Sequence, residues 1–172
     1  MLLVPAAFSD VIVGVHVLGA IVAFGIVFAY PLLLSAAARL DPGATPFLLR
    51  ARVRVGRYLV NPGLLVVVLA GIYLASDEHR WSQFFVGWGI IAAIVIGGIE
   101  GSVIMRRSGR LATIAERDLA ATAVAAGGQR TSATWSDEYT AGLRVLTRAG
   151  LVLQAIVVVT VILMALHAGG GS

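Results

Sequence analysis

Three histidines and a methionine carry the ligand chemistry of this chain: His16, His79, His167 and Met164. Imidazole and thioether together suit copper or another transition metal, and two imidazoles can hold a haem iron. Met164 stands three residues before His167, so a helix would carry both on a similar side. A second set is polar within apolar runs: Tyr30, Asn61, Glu100 and Gln154. Together they read as a polar path. Glu100 lies six residues, ~9 Å on a helix, before Arg106. Two readings of each anomaly stay open. His16 is a ligand or proton relay, or a neutral imidazole bonded to a neighbouring helix. Glu100 is a proton-uptake group, or a carboxylate paired with Arg57, Arg144 or Arg148. His79 and His167 also fit ordinary solvent-facing positions.

Other chemistries are excluded by residue type. With no cysteine, the chain has no disulfide, thiolate metal site, iron–sulfur cluster or thiol nucleophile. It shows no HExxH motif and no phosphate loop, because no strand precedes its glycines. As an enzyme it would depend on a cofactor.

The elements that position these residues are apolar helices. Hydrophobic residues make up 59% of the 172 and charged ones 13%, and the mean hydropathy is +0.93. Soluble domains are about 45–50% apolar and about 25% charged. Val11 to Ala38 runs 28 residues without Arg, Lys, Asp or Glu. At ~1.5 Å per residue that crosses a ~30 Å hydrocarbon layer with some tilt. The sequence therefore predicts an all-α polytopic membrane protein, a four-helix bundle. Spans fall at about 11–38, 58–75, 84–105 and 149–167, in one domain of residues 1–167. An added cytoplasmic helical loop joins spans three and four. Residues 168–172 read as a flexible, linker-like tail. Residues 1–10 lack the basic region of a signal peptide, so the first helix is read as a retained span.

Local signals set the boundaries. Ser9 and Asp10 are candidate caps for the first helix, and Asp41-Pro42-Gly43 is a turn. Pro31 predicts a bend, and Pro62 a bend or restart, with Asn61 as its cap. Ser136-Asp137-Glu138 starts the last helix. Gly89, Ala93, Gly97 and Gly101 recur every four residues and form a packing groove. A neighbouring helix of the same chain or of a second copy would fill it, making a homo-oligomer one outcome.

Every basic residue is an arginine. Twelve fall on the links between spans one and two and between three and four, or on their margins; only Arg80 lies opposite. The positive-inside rule then puts these links in the cytoplasm and both termini outside, in a bacterial inner membrane. Arg50, Arg54 and Arg57 fall on one helix face, where they reach anionic lipid headgroups or a specific anionic ligand. The bilayer is the expected partner, and nucleic acid is not.

HVLGAIVAFGIVFAYPLL, beginning at His16, and RVGRYLVNPGLLVVVLAGIYLA precede an aromatic-rich third span that ends in arginines. Over residues 11–118 this pattern resembles a family of uncharacterised bacterial integral membrane proteins. That family looks like a distant relative of the CopD-type copper-resistance proteins and of the HemJ-type protoporphyrinogen oxidases. The matching elements are His16-Val17-Leu18-Gly19 and the trio Pro62, Gly63 and Gly71. The resemblance implies a helical bundle that handles copper or haem, with His16 as ligand. Three functions follow as expectations: a metal- or haem-binding redox accessory, a small channel or transporter, and an assembly subunit for another membrane protein.

Overall fold

The computed structural model describes residues 4–77, 81–125 and 133–168. Among these, all regular structure is helical. Helix α1 covers Val4–Leu40, α2 Thr45–Val55, α3 Asn61–Asp77, α4 Phe84–Ile99, α5 Arg106–Ala125 and α6 Asp137–Ala168. Wider, π-helical turns at Gly56–Val60 and Glu100–Met105 join α2 to α3 and α4 to α5 without a break. The result is four long rods, Phe8–Leu40, Pro42–Asp77, Phe84–Ala125 and Asp137–Leu166, each long and apolar enough to cross a membrane. Their apolar runs coincide with the four spans read from sequence, but each helix continues past its run.

Several sequence expectations need correction. Helix α1 begins before Ser9 and Asp10, so neither caps it. Ser9 Oγ instead donates to Asp77 Oδ2 at 2.6 Å, tying α1 to the end of α3. Pro62 neither stops nor restarts its helix. It cannot donate, and its ring crowds the carbonyl four residues earlier. The turn before it widens, so that the Asn61 N–H reaches the Gly56 carbonyl. The second wide turn contains Gly101-Ser102, where the Ser102 hydroxyl bonds the Gly98 carbonyl at 2.5 Å and competes with the helical ladder.

Pro31 lies inside α1. Having no N–H, it leaves the Val27 carbonyl without its helical donor. Gln154 of α6 takes that place, its Nε2 donating to Val27 O at 3.0 Å. One half-buried polar side chain on the fourth rod thus answers one missing donor on the first.

Small residues set the closest approach. A Cβ on Gly63 would sit 2.9 Å from Ala23 Cβ, and one on Gly19 would sit 3.1 Å from Val67 Cγ2. Helices α1 and α3 therefore cross almost backbone to backbone. Along the small-residue run of α4, Met164 of α6 lies over Gly89, 2.8 Å from where a Cβ would be, and Leu64 of α3 lies against Gly97. The groove is filled there by this chain's own helices; Gly98 and Gly101 have open space.

A cluster of buried side chains lies at the arginine-rich end. There α2, α5 and the start of α6 bury Leu49, Leu111, Ala112, Ile114, Ala115, Tyr139 and Leu146. The loop expected between spans three and four is thus largely α5, docked on α2 and α6. Asp118 of α5 closes this end. Its Oδ2 accepts from the Ser136 N–H at 2.9 Å and the Ser136 hydroxyl at 2.7 Å. Ser136 Oγ in turn accepts from the Tyr139 N–H and caps α6.

Asp118 stands beyond the apolar run that ends near Met105. Desolvation opposes its charged form, but the Ser136 and Arg117 donors outweigh it and hold the carboxyl below its usual value. A depressed folded value stabilises above the unfolded value of about 3.9, and that contribution is lost as pH falls through the folded one. Asp118→Ala should therefore cost about 2 kcal/mol at neutral pH and less in acid, as the wild-type carboxylate takes up its proton. Protection of the Ser136 amide in hydrogen exchange, corrected for intrinsic rate, reads this directly. An equal difference between wild type and variant at both pH values would contradict it.

Candidate functional site

The candidate residues separate into two layers. In the first, His16 of α1 faces α3. Its Nδ1 lies 2.9 Å from the Val67 carbonyl oxygen. A carbonyl only accepts, so Nδ1 carries the proton and a neutral imidazole keeps its lone pair on Nε2. Gly71 makes the fit possible, since a Cβ there would meet His16 Cε1 at 3.3 Å. His16 and Met164 line the same two adjoining apolar hollows, of about 110 and about 60 Å³. The bare backbone of Gly89 gives the Met164 methyl its place. Trp88, on the same stretch of α4, donates from Nε1 to Thr160 Oγ1 at 3.0 Å and pins α4 to α6.

These hollows test the two groups that the sequence brought forward. Pockets for ligand-sized organic molecules run to about 300–1,000 Å³, so a haem does not fit here. One imidazole nitrogen and one thioether sulfur are donor types that a soft ion takes. Among the described residues no three His, Asp or Glu side chains gather to hold a harder metal. His79 lies outside the described residues; so does the His167 side chain, although its backbone belongs to α6.

The second layer surrounds Arg52. Its Nη2 lies 3.5 Å from Glu100 Oε2, and the two side chains are 8% and 2% exposed. The guanidinium also sits over the Tyr30 ring, 4.4 Å from its centroid, a cation–π contact. The Tyr30 hydroxyl donates to the Leu48 carbonyl. Gly56 leaves room for the carboxylate, since a Cβ there would lie 3.0 Å from Glu100 Oε1. Gly56 and Glu100 each begin one of the two wide turns. Arg52 Nε, Thr45 Oγ1 and Ser108 Oγ are buried without a hydrogen-bond partner among the described residues.

No protein-family model, curated protein or solved structure matches the chain. The site is therefore read from its own geometry.

That geometry joins Tyr30 to Glu100 through Arg52, a residue the sequence reading passed over. The partners expected for Glu100 were Arg57, Arg144 and Arg148; the partner found is Arg52. The signal was in the spacing. Arg50, Arg54 and Arg57 share an exposed face of the helix, which turns Arg52 inward. Of the other polar-path residues, Gln154 serves the Val27 carbonyl, and Asn61 makes a long contact, 4.0 Å, to Met105 Sδ. His16 is 14 residues, ~21 Å, from Tyr30 along α1, so the layers are separate.

Removing one partner of a buried ion pair strands the other charge. Arg52→Met alone should cost about 3–5 kcal/mol, whereas Arg52→Met with Glu100→Leu should recover most of that loss. Unfolding in detergent, followed for both variants, measures this. A double variant as unstable as the single one would show that the pair is not the relevant interaction.

Proposed function

We propose that this chain is a four-span integral membrane protein that binds a soft metal ion, Cu(I), between His16 and Met164. The observation that carries the metal reading is the His16–Val67 bond. It fixes the imidazole with Nε2 unprotonated, in hollows shared with a thioether. A backbone carbonyl that accepts from the other ring nitrogen raises the basicity of an imidazole ligand. The ion would supply a one-electron couple or a transferable cargo; the chain supplies a soft, dry and preset pair of donors. Four apolar rods with outward-facing Leu18, Ile21, Leu32, Ile94 and Ile162 support the membrane reading. The arginine asymmetry supports cytoplasmic links between spans one and two and between three and four.

Cu(I) competition against a chelator on detergent-purified protein tests this. Wild type should hold one ion per chain, and His16→Ala or Met164→Leu should weaken binding by about tenfold or more. Met164→Leu keeps the volume and so guards against misfolding. Wild type that holds no copper, or variants that hold it as tightly, would refute the site.

The Arg52–Glu100 pair favours a second reading, proton or ion passage. Ionisable residues inside an apolar bundle mark pathways, and buried Ser108 and Thr45 hydroxyls have spare bonding capacity in the same half. Proteoliposomes with an internal pH dye should show a proton leak under an imposed potential that Glu100→Gln abolishes. Equal leak with wild type, variant and empty vesicles would exclude it.

A further inference from the structure

The buried polar atoms without a partner fall in one half of the bundle. Among the described residues they are Thr45 Oγ1, Arg52 Nε and Ser108 Oγ, all at or beyond Glu100 toward the arginine-rich end. Toward the His16 layer the polar side chains are answered: Gln154 on the Val27 carbonyl, Thr160 on the Ile156 carbonyl and Trp88 on Thr160. The rest of that side is closed by Val27, Ala92, Ile96, Leu153 and Val157, each at most 3% exposed.

The three unpartnered atoms belong to one interface. A Cβ on Gly56 would lie 3.3 Å from Met105 Cγ, and farther out Arg50 bonds Glu116, so α2 and α5 run antiparallel. That register brings Ser108, three residues past Met105, to the level of Arg52, four before Gly56. Thr45 lies seven residues, ~10 Å, farther out on α2. Beside it in the chain, Gly43 and Pro46 line an open groove of about 430 Å³ between α2 and α5. At the inner end, Glu100 faces Arg52 and, beyond the guanidinium, Tyr30.

We infer that water enters from this groove, past Thr45 and Ser108, as far as Arg52 and Glu100 and no farther, so that Glu100 exchanges its proton with the arginine-rich side alone. The inference rests on the proton reading of Glu100 and adds the side from which the proton comes. A dry, unbonded hydroxyl or guanidinium N–H is costly, and in folded proteins such groups are bonded to protein or to ordered water. Each hydroxyl donates and accepts, so water bonded to it passes a proton along. Arg52 Nε only donates, so it anchors a water without giving up its own proton. Ile104, fully buried, separates Glu100 from Ser108 along the third rod, which leaves the α2 side, beside Arg52, as the route.

The chain has no cysteine, so a single one reports hydration at a chosen level. Full-length protein in detergent is moved into D2O, and exchange of S–H for S–D is followed by its infrared stretch. The thiol of Ser108→Cys should exchange at least about a hundredfold faster than that of Ala92→Cys in the dry half. Thr45→Val, equal in shape, gives a second readout. A hydroxyl held by water loses its bonds and the unfolding midpoint falls; a dry one loses only its penalty and the midpoint rises. Equal exchange in the two cysteine variants, or a raised midpoint in Thr45→Val, would overturn the intake. In the proteoliposome assay Ser108→Val should slow the leak several-fold, and an unchanged leak would overturn the route past Ser108. Fast exchange in Ser108→Cys with no leak in wild type would instead overturn the proton reading and leave the water intake standing.

Discussion

The constraint on which everything else depends is the solvent that four apolar rods require. Leu18, Ile21, Leu32, Leu65, Ile94 and Leu166 all point outward, on helices whose interiors hold few large side chains. In water each such side chain would forfeit about 1.5–3 kcal/mol of burial. In hydrocarbon the loss vanishes, and with it the drive that pulls helices together. The bundle must then be held by close backbone approach and by polar bonds. That is the arrangement found: Gly19 and Gly63 bring α1 against α3, and Gly89 admits Met164.

Within that frame each buried polar group meets a particular need of the backbone or of another buried group. Pro31 frees a carbonyl and Gln154 occupies it. His16 adds its N–H to the Val67 carbonyl, and Gly71 stands aside for the ring. Arg52 answers Glu100 and is itself covered by Tyr30. The wide turns at Gly56–Val60 and Glu100–Met105 let long helices carry a proline and a carboxylate without breaking. Such turns recur at functional positions because they redirect side chains from the regular helical register. The arginine-rich end of the bundle buries Leu49, Leu111, Ala115 and Leu146 between α2, α5 and α6.

Much of this was legible in the sequence. Uninterrupted apolar runs gave four helices, and Asp41-Pro42-Gly43 and Ser136 gave a turn and a cap. The sequence set Met164 beside His167 and named His16 among the same ligand candidates; that His16 and Met164 line shared hollows came from the structure. What escaped was longer-range. Helix continuity through Pro62 and Gly101 depends on a register change that no composition signals. The Glu100 partner depends on which arginine of a cluster turns inward, and the exposed three drew attention from Arg52. Asp118 went unremarked, because its partner Ser136 is 18 residues away in sequence. The resemblance to copper- and haem-handling families pointed to His16, but the volume beside it admits an ion and not a macrocycle.

The account is tested most directly by asking which ends of the rods meet which side of a bilayer. The chain has no cysteine, so single cysteines at exposed Ser76 and Thr113 report without background. In intact cells stripped of any outer envelope, a membrane-impermeant maleimide should label Ser76→Cys at once and Thr113→Cys only after lysis. Labelling of Thr113→Cys in intact cells, or recovery of the chain in the soluble fraction, would contradict it.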